Sequence, residues 1–193
     1  MAHQHHYQQQ RIVVLTMKKL AFLLFPILLL CGCSDDATST FSNREHVFCR
    51  FDVLQYVELF NVMGNPGQFA SIRKHVVNGV TKVTMESAGS STDYNLDALS
   101  KNFGFGLGGL IVGTSNFNET LCYDLSCPIC DRADRRLTLS NNGYAHCAKC
   151  GTTFDMNSKG VIYQIDEENP PVTKRGLYRY RINYDGSTVN AYN

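Results

Sequence analysis

The sequence predicts an all-β domain. Apolar and polar residues alternate over short stretches, and no stretch shows a sustained period of 3.6 residues with helix-capping residues. The clearest alternation covers residues 178–184, where tyrosine and isoleucine interleave with arginine and asparagine. Aromatic residues make up 11% of the chain, and all of them are Tyr or Phe, which also favours β structure.

The β pattern begins at Val47. A mixed apolar stretch covers residues 53–62 and ends at the turn signal Asn65-Pro66-Gly67. Asn78-Gly79, which lies between β-branched residues, predicts a hairpin. Residues 87–95 are small and polar, so we interpret them as a loop.

Further strands are predicted in the second half of the chain. Leu110-Ile111-Val112 and residues 121–125 are short apolar runs of strand length. The alternating stretch at 178–184 is followed by a turn at Asp185-Gly186 and by a returning strand over 188–192.

One glycine motif resembles a dinucleotide-binding loop. Gly104, Gly106 and Gly109 spell G-x-G-x-x-G, but such a loop must open a helix and be followed by an acidic residue about 20 positions on. Here the motif runs into residues 110–113, which have the pattern of a strand. We therefore interpret the glycines as positions where the backbone is approached closely.

Length and charge limit the function. A chain of 193 residues holds one domain, or one domain with a small insert. The formal net charge of +1 gives no electrostatic reason to expect nucleic acid as a partner. No Ser/His/Asp set or pair of carboxylates forms a convincing catalytic site, so the sequence favours a protein that is not an enzyme.

The N-terminal part carries an export signal. Met17-Lys18-Lys19 precedes the apolar run Leu20–Leu30, which is too short to span a membrane and has the form of a signal peptide. Leu30-Cys31-Gly32-Cys33 comes next and resembles a bacterial lipobox, with Cys33 as the lipid acceptor. A plain signal peptide or a buried helix is the alternative.

The lipobox predicts the organisation of the chain. Residues 1–32 would be an N-terminal extension and a lipoprotein signal peptide, with translation starting at Met17. Residues 33–46 would be a flexible tether, and 47–193 the β domain. Acyl chains on Cys33 would anchor the protein to the cell envelope, and the serine at position 34 resembles outer-membrane sorting.

Two C-x-x-C pairs carry the strongest chemical signal. A pair with two intervening residues lets one tight turn direct both sulfurs at a single ion about 2.3 Å away, and two such pairs complete a tetrahedral thiolate site. The gap between the pairs is 16 residues. The predicted metal ligands are Cys127, Cys130, Cys147 and Cys150.

Disulfides are the alternative to a metal. A secreted protein meets an oxidising compartment, and the six cysteines after Cys33 are even in number. Cys49 and Cys122 lack partners at C-x-x-C spacing, so they would either pair with each other or remain buried thiols. The spacing of the other four favours metal over disulfides.

Residues 121–184 resemble a Rieske-type domain. The segment CAKCGTTFD, which begins with the second pair, matches the C-x-x-H-G…F-D pattern of that family, with Phe154-Asp155 behind Gly151. Pro170-Pro171 and the strand over 177–184 also resemble the end of such a domain. Both histidine positions of the family hold cysteine here, and the first pair is one residue longer.

The resemblance implies a small β-sandwich or barrel with a zinc-ribbon-like pair of metal-binding loops over about 121–165. It also implies one metal centre, for which four thiolates suit zinc, a single iron or a [2Fe–2S] cluster. An iron–sulfur centre would imply electron transfer with a redox partner in the envelope. With a structural zinc, or with disulfides in its place, the protein would instead be a non-catalytic surface binding or structural module. The mixed charges of residues 131–136 would form a solvated face or, with an iron–sulfur centre, the docking surface for that partner.

Overall fold

A computed structural model describes residues 41–168 and 170–193. The predicted signal peptide and Cys33 therefore lie outside the described residues. The all-β prediction is confirmed, and the described residues form a large sheet of nine strands and a small sheet of four. The strands are β1 (Val47–Asp52), β2 (Gln68–Val77), β3 (Val80–Ser87), β4 (Ser90–Asn95), β5 (Gly104–Phe105), β6 (Leu110–Thr114), β7 (Thr120–Asp124), β8 (Thr138–Leu139), β9 (Tyr144–His146), β10 (Thr153–Asp155), β11 (Val161–Gln164), β12 (Arg179–Tyr184) and β13 (Thr188–Tyr192).

The large sheet has the order β4-β3-β2-β6-β7-β12-β13-β1-β5, and all of its pairings are antiparallel. Its two faces bury different cores because successive residues of a strand point to opposite sides. On β7, for example, Cys122 belongs to the first core, whereas Leu121 and Tyr123 belong to the second. The second core continues into the small sheet through Ala145 and Phe154.

The small sheet has the order β11-β10-β9-β8 and lies between β7 and β12 in the sequence. An isolated bridge between Ser126 and Arg136 precedes it. Both C-x-x-C pairs lie on loops of this sheet, the first before β8 and the second between β9 and β10.

Several strand predictions are confirmed. Asn78 and Gly79 both have positive φ, 51° and 79°, which is the conformation of a tight hairpin turn between β2 and β3. The runs at 110–112 and 188–192 fall in β6 and β13. Those at 121–125 and 178–184 correspond to β7 and β12, except that β7 ends at Asp124 and β12 begins at Arg179.

Two sequence interpretations are corrected. Residues 53–62 contain a short 3-10 helix (Val53–Gln55) and the six-residue helix α1 (Val57–Val62) in place of extended strand. A six-residue helix makes fewer than two turns, so its sequence shows no sustained helical period. The stretch at 87–95 holds β4, which pairs with β3 over its whole length, rather than a loop.

A buried carboxylate explains the polar composition of β4. Glu58 on α1 is fully buried and accepts hydrogen bonds from the hydroxyls of Ser90 (2.7 Å), Thr92 (2.6 Å) and Tyr94 (2.8 Å). Burial alone would raise the pKa of Glu58, but these three hydrogen bonds outweigh burial and hold the pKa below its ordinary value. The hydroxyls of β4 thus serve the interior of the protein.

Replacing Glu58 with alanine is expected to lower the free energy of unfolding by about 3 kcal/mol, about 1 kcal/mol for each hydroxyl that loses its acceptor. Because the pKa of Glu58 is lower in the folded protein, the carboxylate stabilises the fold fully at pH values above its unfolded pKa of about 4.3. This stabilisation is lost as the pH falls through the folded pKa. Urea unfolding at several pH values measures both effects. Glu58→Gln is the control, since its stability should lack this pH-dependent part. If the stabilities of the wild type and of Glu58→Gln change with pH in parallel, the assignment is contradicted.

The glycine motif surrounds a buried aspartate side chain of the same protein. Asp124 at the end of β7 is fully buried and accepts hydrogen bonds from the backbone N–H groups of Leu107 (2.6 Å) and Gly108 (3.0 Å). It also accepts from the Tyr180 hydroxyl at 2.8 Å. A Cβ atom on Gly106 would lie 2.9 Å from that hydroxyl, and φ there is +68°. The motif leads into β6 and not into a helix, so close approach explains its glycines.

Candidate metal centre

The four predicted ligands converge. The sulfur atoms of Cys127, Cys130, Cys147 and Cys150 all lie within 4.8 Å of one another. The Sγ atoms of Cys127 and Cys150 are 3.6 Å apart, and those of Cys130 and Cys147 are 3.8 Å apart. The structure thus brings together the full set that the sequence predicts, and this group could hold a metal ion.

The size of the quartet suits one ion. Four sulfurs placed tetrahedrally about 2.3 Å from a central ion are about 3.8 Å from each other. The Cys127–Cys150 and Cys130–Cys147 separations of 3.6 and 3.8 Å match that edge length. They greatly exceed the bond length of about 2.05 Å in a disulfide, and all six cysteines of the described residues are free thiols.

Each C-x-x-C pair folds into the same turn. The backbone N–H of Asp131 donates to the carbonyl of Cys127 at 2.9 Å, and that of Gly151 donates to the carbonyl of Cys147 at 2.9 Å. Asp131 and Gly151, each directly after the second cysteine of its pair, both have left-handed backbone, with φ of 56° and 67°. Two equivalent turns therefore direct two sulfurs each toward a shared point.

Neighbouring segments hold these turns in place. The N–H of Cys127 donates to Arg135 O at 2.8 Å, and that of Cys147 donates to Thr152 O at 2.9 Å. Just before the first pair, the N–H of Ser126 donates to the buried Asp124 carboxylate at 2.7 Å. Asp124 thereby joins the glycine loop to the first metal-binding turn.

The thiols lie at the edge of the second core. Cys127 and Cys147 are buried, whereas Cys130 and Cys150 are partly exposed. Burial raises the pKa of Cys127 well above its ordinary value and raises that of Cys130 to about 11. Burial also opposes ionisation of Cys150, but hydrogen bonds with Thr152 and the neighbouring thiols lower its pKa overall. Since a metal must displace thiol protons, its binding weakens as the pH falls.

Two other cysteines of the described residues and His146 lie outside the quartet. Cys49 and Cys122 are fully buried thiols in the first core, where burial raises the pKa of Cys49 to about 12. His146 is exposed, and its Nδ1 lies 3.0 Å from the Thr153 hydroxyl. The two buried cysteines and the histidine are not members of the sulfur cluster.

One contact near the site has no signal in the sequence. Arg44 forms an ion pair with Asp131, the residue directly after the first pair, and donates to the Tyr178 hydroxyl at 2.9 Å. That hydroxyl itself donates to Asp131 at 2.9 Å. The N-terminal segment of the described chain therefore contacts the metal-binding turn, 87 residues further along the sequence.

Gly151→Ala is expected to weaken metal binding and to lower the free energy of unfolding. Left-handed backbone alone costs an alanine about 1–2 kcal/mol, and we expect a larger loss here. The reason is that its Cβ would lie 2.8 Å from Asp166 Cβ. Gly64→Ala is the matched control, because Gly64 also has positive φ (+80°) but its Cβ would meet nothing within 4 Å. Thermal unfolding and metal competition with a chromogenic chelator measure the effects. Equal losses in the two variants would refute the packing argument.

Comparison with known proteins adds no assignment: no family model, no curated protein and no solved structure matches this chain. Among the residues that the structure describes, no helix is both long and apolar enough to span a bilayer. The assignment of the site therefore rests on the geometry of its four sulfurs.

Proposed function

We propose that this is a lipid-anchored protein of the cell envelope whose β domain is stabilised by one zinc ion bound to Cys127, Cys130, Cys147 and Cys150. The observation that supports this most is the convergence of the four sulfur atoms within 4.8 Å. Four thiolates fill a tetrahedral shell and leave no position for water or substrate. The metal would therefore be structural, and the domain a binding or structural module without hydrolytic activity at this site.

The compact quartet favours a single ion over a [2Fe–2S] cluster. In a two-iron cluster each iron takes two thiolates, and the bridging sulfides separate the two irons and their thiolates. Here all four sulfurs lie within 4.8 Å of one another, so no division of the four leaves two separated sets. Zinc or a single iron fits this spacing, and zinc is the usual occupant of closed four-thiolate sites.

We also propose kinship with Rieske-type domains. Both cysteine pairs lie on loops of one small sheet that comes after β7 and before β12, which is the order that the sequence resemblance over 121–184 implies. Two histidines raise the potential of a Rieske cluster, and this chain has cysteine at both positions. The chain would then be a relative in which structural metal replaces the redox cluster.

Electron transfer is the second candidate function. Cys130 and Cys150 are partly exposed, so the metal centre would reach the protein surface. With a single iron or an iron–sulfur cluster in the site, an envelope redox partner would dock there.

Metal analysis and an absorption spectrum of the purified protein separate the two functions. We expect a colourless protein with one zinc per chain. A coloured protein that contains iron and loses its visible absorption on reduction would replace the zinc proposal with the electron carrier. A protein without metal, with all four thiols oxidised to disulfides, would refute both.

The lipid anchor has its own test. Cys33→Ala removes the proposed acceptor, so the variant should remain unprocessed and carry no lipid, whereas Cys31→Ala should be processed normally. Mass spectrometry of the N-terminus and membrane fractionation measure this. A Cys33→Ala variant that is still acylated, or that still fractionates with the outer membrane as the wild type does, would contradict the anchor.

A further inference from the structure

A group of basic side chains surrounds the point where the described chain begins. The guanidinium groups of Arg179 and Arg181 on β12 each lie 5.0 Å from the centre of the Phe41 ring. Nearby, Arg175 donates to the Tyr178 hydroxyl at 2.8 Å. None of these three arginines forms an ion pair within the described part of the chain. Lys174, which precedes Arg175 in the sequence, is exposed.

The backbone places Arg179 and Arg181 on one side of the large sheet. Arg179 and Arg181 are two residues apart on β12, so they point to the same face. Arg179 lies opposite Tyr123 on β7, and Tyr123 belongs to the second core. The arginines therefore share the face on which the small sheet packs. The N–H of Ser42 donates to Arg179 O at 2.7 Å, which holds the N-terminal segment along this group.

The nearby carboxylate of Asp131 does not balance the whole group. Asp131 forms an ion pair with Arg44, which lies outside the group, and it also interacts electrostatically with Arg175. Within the described residues Lys174, Arg179 and Arg181 form no ion pair, whereas the chain from Cys33 onward is mildly acidic overall. A local cluster of four cations on such a chain marks a surface for an anionic partner.

The short sequence distance between Cys33 and Phe41, the first described residue, identifies the partner. Only seven residues lie between Cys33 and Phe41, so the two are eight positions apart. Eight steps along any chain reach at most about 28 Å. A lipid on Cys33 would therefore hold this surface close to the bilayer at a high effective concentration.

We propose that Lys174, Arg175, Arg179 and Arg181 form a surface that lies against anionic lipid headgroups of the membrane, an inference that rests on the proposed anchor at Cys33. Each cation close to an anionic bilayer surface raises the bound population about fivefold. Neutralising three of them should lower it on the order of a hundredfold. The domain would then lie on the membrane with the small sheet on the membrane-facing side.

The test uses the lipid-modified, full-length protein in vesicles of phosphatidylcholine alone or with phosphatidylglycerol. The chain has no tryptophan, so Tyr192→Trp supplies a single fluorescent reporter next to Arg181, and brominated lipids quench it only at close range. Val76→Trp is the control reporter on β2, which β6 and β7 separate from β12. We expect strong quenching of the reporter at 192, only with phosphatidylglycerol, and lost at high salt.

Two triple variants with the same net charge test the surface itself. Neutralising the surface should reduce the quenching at 192 to the level in neutral vesicles, whereas neutralising cations elsewhere should leave it unchanged. Equal quenching at 192 and 76, or no change on neutralising the surface, would overturn the proposal. The surface variant is Arg175→Gln, Arg179→Gln and Arg181→Gln, and the control is Arg50→Gln, Lys82→Gln and Lys101→Gln.

Failure of the anchor gives a different result. If Cys33 carries no lipid, the wild-type protein will not sediment with phosphatidylcholine vesicles. Salt-sensitive quenching at 192 by excess phosphatidylglycerol vesicles would then still support the basic surface. A protein that sediments with both kinds of vesicle but shows no added quenching with phosphatidylglycerol has the anchor and lacks the surface contact.

Discussion

Replacing Cys150 with serine is expected to abolish metal binding and to lower the melting temperature by about 8–16 °C. Serine is a poor ligand for a soft tetrahedral site, and three thiolates do not complete the shell. Metal binding is coupled to folding, so its loss removes about 4 kcal/mol or more, and about 2–4 °C is lost for each kcal/mol in a domain of this size. Metal content and thermal unfolding measure the two effects.

A buried cysteine outside the quartet supplies the control for this prediction. Cys49 is fully buried in the first core. Cys49→Ala should cost about 1 kcal/mol, as an ordinary core substitution does, and should keep one metal per chain. If Cys150→Ser keeps both its metal and its melting temperature, the four cysteines do not form the site.

Asp124→Ala is expected to destabilise the protein by about 4 kcal/mol or more and to weaken metal binding about 10–100-fold. The change leaves four donors without an acceptor in a buried position, and each unsatisfied donor costs about 1–3 kcal/mol. The donors are the N–H groups of Leu107, Gly108 and Ser126 and the hydroxyl of Tyr180. Metal binding suffers because Ser126 directly precedes Cys127, and supporting contacts of this kind tune metal affinity.

Two variants make the Asp124 prediction specific. Asp124→Asn keeps the shape and one oxygen, so it should lose less stability than alanine, although its NH₂ group then faces donors. Asp185→Ala removes an exposed aspartate that caps the β12–β13 turn, and it should leave metal affinity unchanged. Urea unfolding and chelator competition give both quantities. Equal metal affinity in Asp124→Ala and wild type would show that the carboxylate does not support the metal-binding turn.

The cysteine quartet was predictable from sequence because its signal is local. Two residues between cysteines set the turn, and the same spacing at both pairs predicts that all four sulfurs meet. The residue after each pair adopts left-handed backbone, which Gly151 suggests but Asp131 does not. The identity of the metal is not encoded in that spacing, because zinc and iron accept the same four thiolates.

The buried carboxylates were not predictable, because their partners are distant in the sequence. Glu58 is satisfied by hydroxyls 32–36 residues away, and Asp124 by Tyr180, 56 residues away. Without those contacts, the hydroxyl-rich stretch at 87–95 has the composition of a loop, although it forms β4. The glycine motif likewise indicated close backbone approach, but the sequence did not identify Asp124 as the group that approaches.

X-ray absorption at the edge of the bound metal, on purified protein, tests the metal centre most directly. One zinc with four sulfur neighbours at about 2.3 Å, and no second metal at short range, is the expected result. A spectrum with nitrogen or oxygen neighbours, or with two irons bridged by sulfide, would contradict a single closed shell formed by Cys127, Cys130, Cys147 and Cys150.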